Sequence, residues 1–214
     1  MTLHSVYDDY LEALKQGDRR QALRVAQKTL TEGTDIRDLY LDVFQPAMHE
    51  VGRLWETNQM TVAQEHLATA ITQSVMAHLY GYVFAHTAVG RTLIATCIGG
   101  ELHELGIRMV SDFFEMEGWE VYYLGANMPP DDVIRMATDR DADLLAISVT
   151  LNSHVPYARE LIQAVRAAPI GAKLKIMVGG QPINRAPDLC KTMGADFTAS
   201  NAREAVQLAT EVLV

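Results

Sequence analysis

The stretch Arg91-Thr-Leu-Ile-Ala-Thr-Cys97-Ile-Gly-Gly100-Glu101-Leu-His103-Glu-Leu-Gly106 decides how this chain reads. Residues 92–97 form a short apolar run with β-branched members, the texture of a buried strand. Ile98-Gly-Gly100 reads as a tight loop, and a helix begins close behind it. A histidine therefore stands at the carboxyl end of a strand, the edge at which open α/β sheets bind ligands. With a carboxylate two residues earlier, it has the makings of a metal ligand that carries its own orienting partner. A lone histidine behind a strand is more often a structural or solvated residue, so the reading rests on the remaining chain.

From Arg91 onward strands and helices alternate. Strands are expected at 92–97, 120–124, 144–149, 174–178 and a short 196–199, and helices at 103–117, 130–139, 154–167, 187–193 and 202–213. Pro130 suits the first turn of its helix, and Asp131 and Asp132 favour the positive end of the dipole. Repeated βα units of this length imply a parallel, doubly wound sheet with helices on both faces, in a five-stranded flavodoxin-like order.

Residues 1–88 look all-helical. Leu3, Tyr7, Tyr10, Leu11 and Leu14 recur at helical spacing. Asp18 caps a second helix that ends at Gly33. Asp35 begins a third, kinked at Pro46. Thr61 with Gln64 forms a capping box for a fourth that runs past Tyr82. Four helices with short connections predict a bundle, followed by a linker at 85–90. The domains are thus 1–88, a helical bundle cap, and 91–214, an α/β domain.

The 214 residues carry a net charge of −9, with 49% hydrophobic and 21% charged side chains, as in a globular protein with a real core. Residues 1–90 hold 7 basic and 11 acidic side chains and the rest 11 and 16, so neither half has the basic footprint of a nucleic-acid-binding surface. No apolar run reaches the roughly 18 residues a membrane span needs. The acidic N-terminus is not a signal peptide. Two cysteines, Cys97 in a strand and Cys190 in a late helix, make no framework, and a cytoplasmic setting is expected.

Glu101-x-His103-x-x-Gly106 is followed by 41 residues, then Ser148-Val-Thr150, then 28 residues, then Gly179-Gly180. This three-part spacing resembles the cobalamin (B12)-binding domains of the base-off, His-on type, and the likeness spans residues 91–214. It extends to Gly118-Trp-Glu-Val and Leu124-Gly-Ala-Asn-Met-Pro-Pro-Asp. The resemblance implies that His103 displaces the dimethylbenzimidazole tail and ligates cobalt from below. It implies that Glu101 orients the far ring nitrogen, and that Ser148, Thr150, Gly179 and Gly180 line the slot for the tail. Two departures stand out: Glu101 in place of the usual Asp, and Thr150 in place of the usual Leu.

In the helical half, Trp55, nine residues, then Glu65-His66 is similar to the Trp-x9-Glu-His motif of light-sensing cobalamin proteins. That resemblance implies adenosylcobalamin as cofactor, with Trp55 and Glu65 against the adenosyl group and His66 as upper ligand after light. The ordinary reading of each is a bundle anchor, a first-turn acid and a surface histidine. The function expected on these grounds is a stand-alone light sensor, not an enzyme. Photolysis would move the cap and change a homodimer or higher homo-oligomer, or contacts with a downstream protein. Neither DNA nor a membrane is an expected partner. Some stand-alone relatives, the photocobilins, bind biliverdin or another bilin as well. The run Met76, His78, Tyr80, Tyr82, Phe84, His86 offers a place for one, although packing is its ordinary reading. The alternative is a corrinoid carrier for methyl transfer, a non-catalytic subunit of a methyltransferase system. His154 opens a helix near the slot, and its position there is read as incidental.

Overall fold

The computed structural model describes residues 2–84 and 87–213. Its contacts divide the chain into two units, Met1–Phe84 and Ala85–Val214. The expected linker opens with Ala85 and His86, which lie outside the described residues.

The first unit is built from helices whose starts are written in their capping residues. Helix α1 (Leu3–Lys15) begins at Thr2, α2 (Arg19–Thr31) at Asp18, whose carboxylate accepts from the Gln21 amide at 2.9 Å. The third pass is α3 (Ile36–Leu39), a π-helical turn at Tyr40–Phe44, and α4 (Gln45–Glu56). Pro46 does not break this pass. Its missing N–H and its ring, which crowds the carbonyl one turn earlier, fall where the backbone widens into the π turn. Helix α5 (Val62–Leu79) starts on the expected Thr61–Gln64 capping box and packs on α1, α2 and α4.

The core of this unit is aromatic. Tyr10, Tyr40 and Phe44 are fully buried, with ring centroids 4.9 Å (Tyr10–Phe44) and 5.4 Å (Tyr40–Phe44) apart. Tyr10 donates to Thr72 Oγ1 at 3.1 Å, so its buried hydroxyl is satisfied from α5. The late aromatic run divides: Met76 and Leu79 enter the core, while Tyr80, Tyr82 and Phe84, in and after a 3₁₀ turn, are exposed. His86 of that run lies outside the described residues.

The second unit is an α/β sandwich around an all-parallel sheet. Its strands are β1 (Thr92–Cys97), β2 (Glu120–Gly125), β3 (Leu144–Ser148) and β4 (Lys175–Gly179), in the order β2-β1-β3-β4. Helices α7 (Pro130–Asp139) and α8 (Val155–Ala167) cover one face, through Val133, Ala137, Leu161 and Val165 on Ile94, Leu145 and Ile176. Helices α6 (Leu105–Met116) and α11 (Ala202–Val212) cover the other, through Ile107, Phe114, Ala205 and Ala209 on Leu93, Ala95 and Ala146. The expected helix at 187–193 is α10 (Asp188–Met193), and a short helix that was not expected, α9 (Gln181–Arg185), precedes it, the two parted near Pro187.

The sheet has four strands among the described residues, not the expected five. Residues 196–199 lie beside β4 but make only the bridge of Phe197 to Met177. Asp196 supplies the reason. Its carboxylate, rather than a strand carbonyl, accepts the Ile176 N–H at 2.6 Å, and Arg166 from α8 holds the same oxygen at 2.6 Å. Arg166 also donates to the carbonyls of Leu174 and Gly194. A charged side chain thus replaces one rung of the ladder, and by Asn201 the chain is capping α11. Asp196→Ala is expected to lower the stability of the α/β unit by about 2 kcal/mol, the value of hydrogen bonds to a charged group. The measurement is a denaturation midpoint that falls at unchanged slope. A wild-type midpoint would show that the edge does not depend on this carboxylate.

Candidate functional site

Register brings the three separated motifs level with one another. Cys97 pairs with Ser148, and Ser148 with Gly179, so β1, β3 and β4 all end on one row. Beyond that row lie Glu101 and His103 after β1, Thr150 after β3 and Gly180 after β4. Strand β1 is followed in the sheet by β2 on one side, while β3 lies on its other side. The β1–β3 junction is therefore the point where the strand order reverses, the place at which open sheets hold ligands.

Glu101 sits at that junction and is fully buried. Its Oε1 accepts from the His103 amide at 3.0 Å and lies 2.5 Å from His103 Nδ1. Its Oε2 accepts from the Thr150 amide at 2.9 Å and lies 3.0 Å from His154 Nδ1. A carboxylate can only accept, so both imidazoles donate from Nδ1. Burial pushes the Glu101 carboxyl pKa up; the hydrogen bonds from the two histidines and the two backbone amides outweigh it and carry it down to about 2. Glu101 is therefore a buried anion with donors on both oxygens.

His103 precedes α6 instead of opening it, as expected from sequence, because the helix starts at Leu105. Its side chain is half exposed. A ring that donates from Nδ1 carries its acceptor lone pair on Nε2, so this is the nitrogen a metal would take. Imidazole suits cobalt, and a carboxylate behind the ligand raises its basicity. The donor chemistry of the site fits a corrinoid. Cys97 is buried, and burial first, with Glu101 and Glu104 nearby, pushes its thiol up to about 12.

The loop that carries Glu101 is held by a residue to which sequence reading assigned no role. Asn127, after β2, accepts from the Gly100 amide through Oδ1 at 2.8 Å and donates its own amide to the Glu101 carbonyl at 3.1 Å. Its φ of 55° is a conformation Asn tolerates. The run Leu124-Gly-Ala-Asn127 belongs to the resemblance, but its clamp on the β1 loop is a tertiary contact that spacing does not announce. His154 is the second such residue. Read as incidental, it is instead joined to the central carboxylate.

The glycine pair divides in role. At Gly180, φ is 113° and an added Cβ would lie 1.9 Å from the Val149 carbonyl oxygen, so glycine is required by the crossing of two chains. At Gly179 an added Cβ meets nothing within 4 Å, and at Gly106 likewise. In the helical unit Trp55 lies in the last turn of α4 and is 43% exposed. Glu65, in the first turn of α5, accepts from Thr69 at 3.0 Å and lies 3.5 Å from His66 Nε2, and His66 is exposed.

Residues 91–207 match a family model described as a B12 binding domain, and residues 6–80 match a second one of the same description. Dimethylamine corrinoid protein 3 of Methanosarcina acetivorans is 27% identical over 214 residues, 99% of this chain and 97% of its own. Its namesake in Methanosarcina mazei is 30% identical over 169 residues, 78% of this chain and 99% of its own. The monomethylamine corrinoid protein of Methanosarcina barkeri has the same fold, with a TM-score of 0.88 at 21% identity over 99% of this chain and 100% of that one.

These relatives correct the expectation of a light sensor. Dimethylamine corrinoid protein 3 of Methanosarcina acetivorans is similar along the full chain, and its namesake in Methanosarcina mazei along 78% of it. The Trp55, Glu65, His66 spacing does not by itself carry a light-sensing function. Glu65 is a first-turn acid bonded within its own helix.

Gly180→Ala is expected to cost about 3 kcal/mol of stability, at the upper end for overpacking, whereas Gly179→Ala stays within about 0.5 kcal/mol of wild type. Parallel denaturation curves compare them. Equal stabilities would show that the Val149 crossing is not the constraint.

Proposed function

This chain belongs to the B12-binding domain family, and we propose that it is a corrinoid carrier, the non-catalytic subunit of a methyl-transfer system. One observation supports the site: the buried Glu101 holds His103 by Nδ1 at the switch point of the sheet. The carrier reading itself draws on full-length similarity to dimethylamine corrinoid proteins. The substrate class that goes with it is a methylated amine.

When bound, the corrinoid supplies a cobalt centre that takes up and gives away a methyl group. The chain's own residues hold and tune it. His103 would hold the cobalt through Nε2. Glu101 keeps that ring in one tautomer and one orientation. Ser148, Thr150, Gly179 and Gly180 would hold the dimethylbenzimidazole tail, with Gly179 and Gly106 leaving space that a side chain would fill. No residue of this chain serves as nucleophile or general base in the reading. Catalysis belongs to two protein partners, one methyltransferase that loads the carrier and one that unloads it. Self-association is not required.

Protein reconstituted with hydroxocobalamin and freed of excess by gel filtration is expected to retain the cofactor with the tail displaced, as read from its absorption spectrum. His103→Ala lowers retention by roughly tenfold or more, since even an outer-shell partner is worth that much. Gly179→Ala, stable as a fold, loses retention as well. Methylated holoprotein passes its methyl group to a thiol acceptor in the dark when the methyltransferase of a dimethylamine corrinoid system is added, and Trp55→Ala preserves that transfer. Full retention by His103→Ala would remove the ligand assignment. Absence of dark transfer with every methylamine-system enzyme would remove the carrier reading.

A further inference from the structure

Glu101 has two oxygens, and the ligand histidine uses only one of them. The other, Oε2, is held by the Thr150 amide at 2.9 Å and by His154 Nδ1 at 3.0 Å. His154 ends the 3₁₀ turn Asn152–His154 and directly precedes α8. Its side chain is 17% exposed against 50% for His103. Its ring meets Tyr157 edge-on at 6.2 Å. It is thus a largely buried imidazole aimed at the carboxylate that aligns another imidazole.

A carboxylate anchored through one oxygen can turn about its Cγ–Cδ bond, because that terminal torsion is soft. Donors on both oxygens fix its plane. The longer reach of Glu, compared with the Asp usual at this position, carries Oε2 across the junction to β3 and α8. On Oε2 the Thr150 amide supplies one donor and His154 the second, so the longer side chain is held from the end of β3 and from the start of α8 together. We propose that His154 is a positioning residue for the corrinoid: it clamps Glu101 Oε2 so that Oε1 stays on His103 Nδ1, and thereby sets the orientation of the lower ligand. The inference rests on the corrinoid reading of the site for its purpose, but the clamp itself belongs to the protein without cofactor.

The test separates the two. His154→Phe keeps an aromatic ring beside Tyr157 and removes the donor. His154→Asn keeps a donor near the position of Nδ1 and removes the ring. In apo protein labelled with nitrogen-15 histidine, the Nδ1 proton of His103 is expected far downfield, as suits its 2.5 Å contact with Glu101. In His154→Phe it moves upfield and broadens, and in His154→Asn it returns towards the wild-type position. Hydroxocobalamin affinity follows the same order, falling roughly tenfold in the Phe variant and recovering in the Asn variant. A wild-type proton shift and affinity in His154→Phe would overturn the proposal. So would an equal fall in both variants, which marks a packing role alone. If His103→Ala binds cobalamin as tightly as wild type, the ligand reading fails while the apo proton shifts still decide the clamp.

Discussion

Everything at the ligand edge depends on one buried charge. Moving a carboxylate out of water costs several kcal/mol even after relaxation, and Glu101 is fully inaccessible. Four N–H donors meet it: two backbone amides and two imidazoles. Hydrogen bonds to charged groups contribute about 1.5–3 kcal/mol each, enough together to exceed the burial cost, and the depressed pKa agrees. The anion ties the loop after β1 to the segment after β3 and to the start of α8. It closes the switch point of the sheet and aligns His103 through the same contacts.

The rest of the sheet serves that junction. Cys97, Ser148 and Gly179 end level, so motifs far apart in the chain meet along one row. Asn127 pins the 100–101 backbone from the neighbouring loop. Gly180 permits the chain after β4 to cross the Val149 carbonyl at a distance no Cβ allows. At the far edge, Arg166 and Asp196 secure β4 with side chains where a fifth strand was expected. These devices differ in chemistry and place: Asn127 and Gly180 fix backbone at the carboxyl edge, and Arg166 with Asp196 fixes the amino end of β4.

The helical unit shows how far a short motif reaches. Its caps, its four passes and its aromatic core follow from Thr2, Asp18, Thr61–Gln64 and the periodic apolar positions. Its function did not follow from Trp55, Glu65 and His66. An acid in a first turn, an exposed histidine beside it and a tryptophan at a helix end satisfy ordinary helix physics. Spacing among such residues discriminates weakly. The spacing from Glu101 to Ser148 to Gly179 discriminates strongly, because only strands of a particular length and order bring those positions to one row.

By itself, the sequence determined the two-part division, the parallel sheet, its flanking helices and the identity of the His103–Glu101 pair. Those features are local or periodic: helical spacing, strand length, capping chemistry and a carboxylate two residues from a histidine. Tertiary structure decided the remainder. His154 reaches Glu101 across 53 positions of chain, and Asn127 reaches Gly100 across 27. The loss of the fifth strand turns on Asp196 finding Ile176 and Arg166. No periodicity announces such contacts. They arise because a buried polar group must find its partners wherever the packed chain brings them, and the packing, not the order of residues, decides which those are.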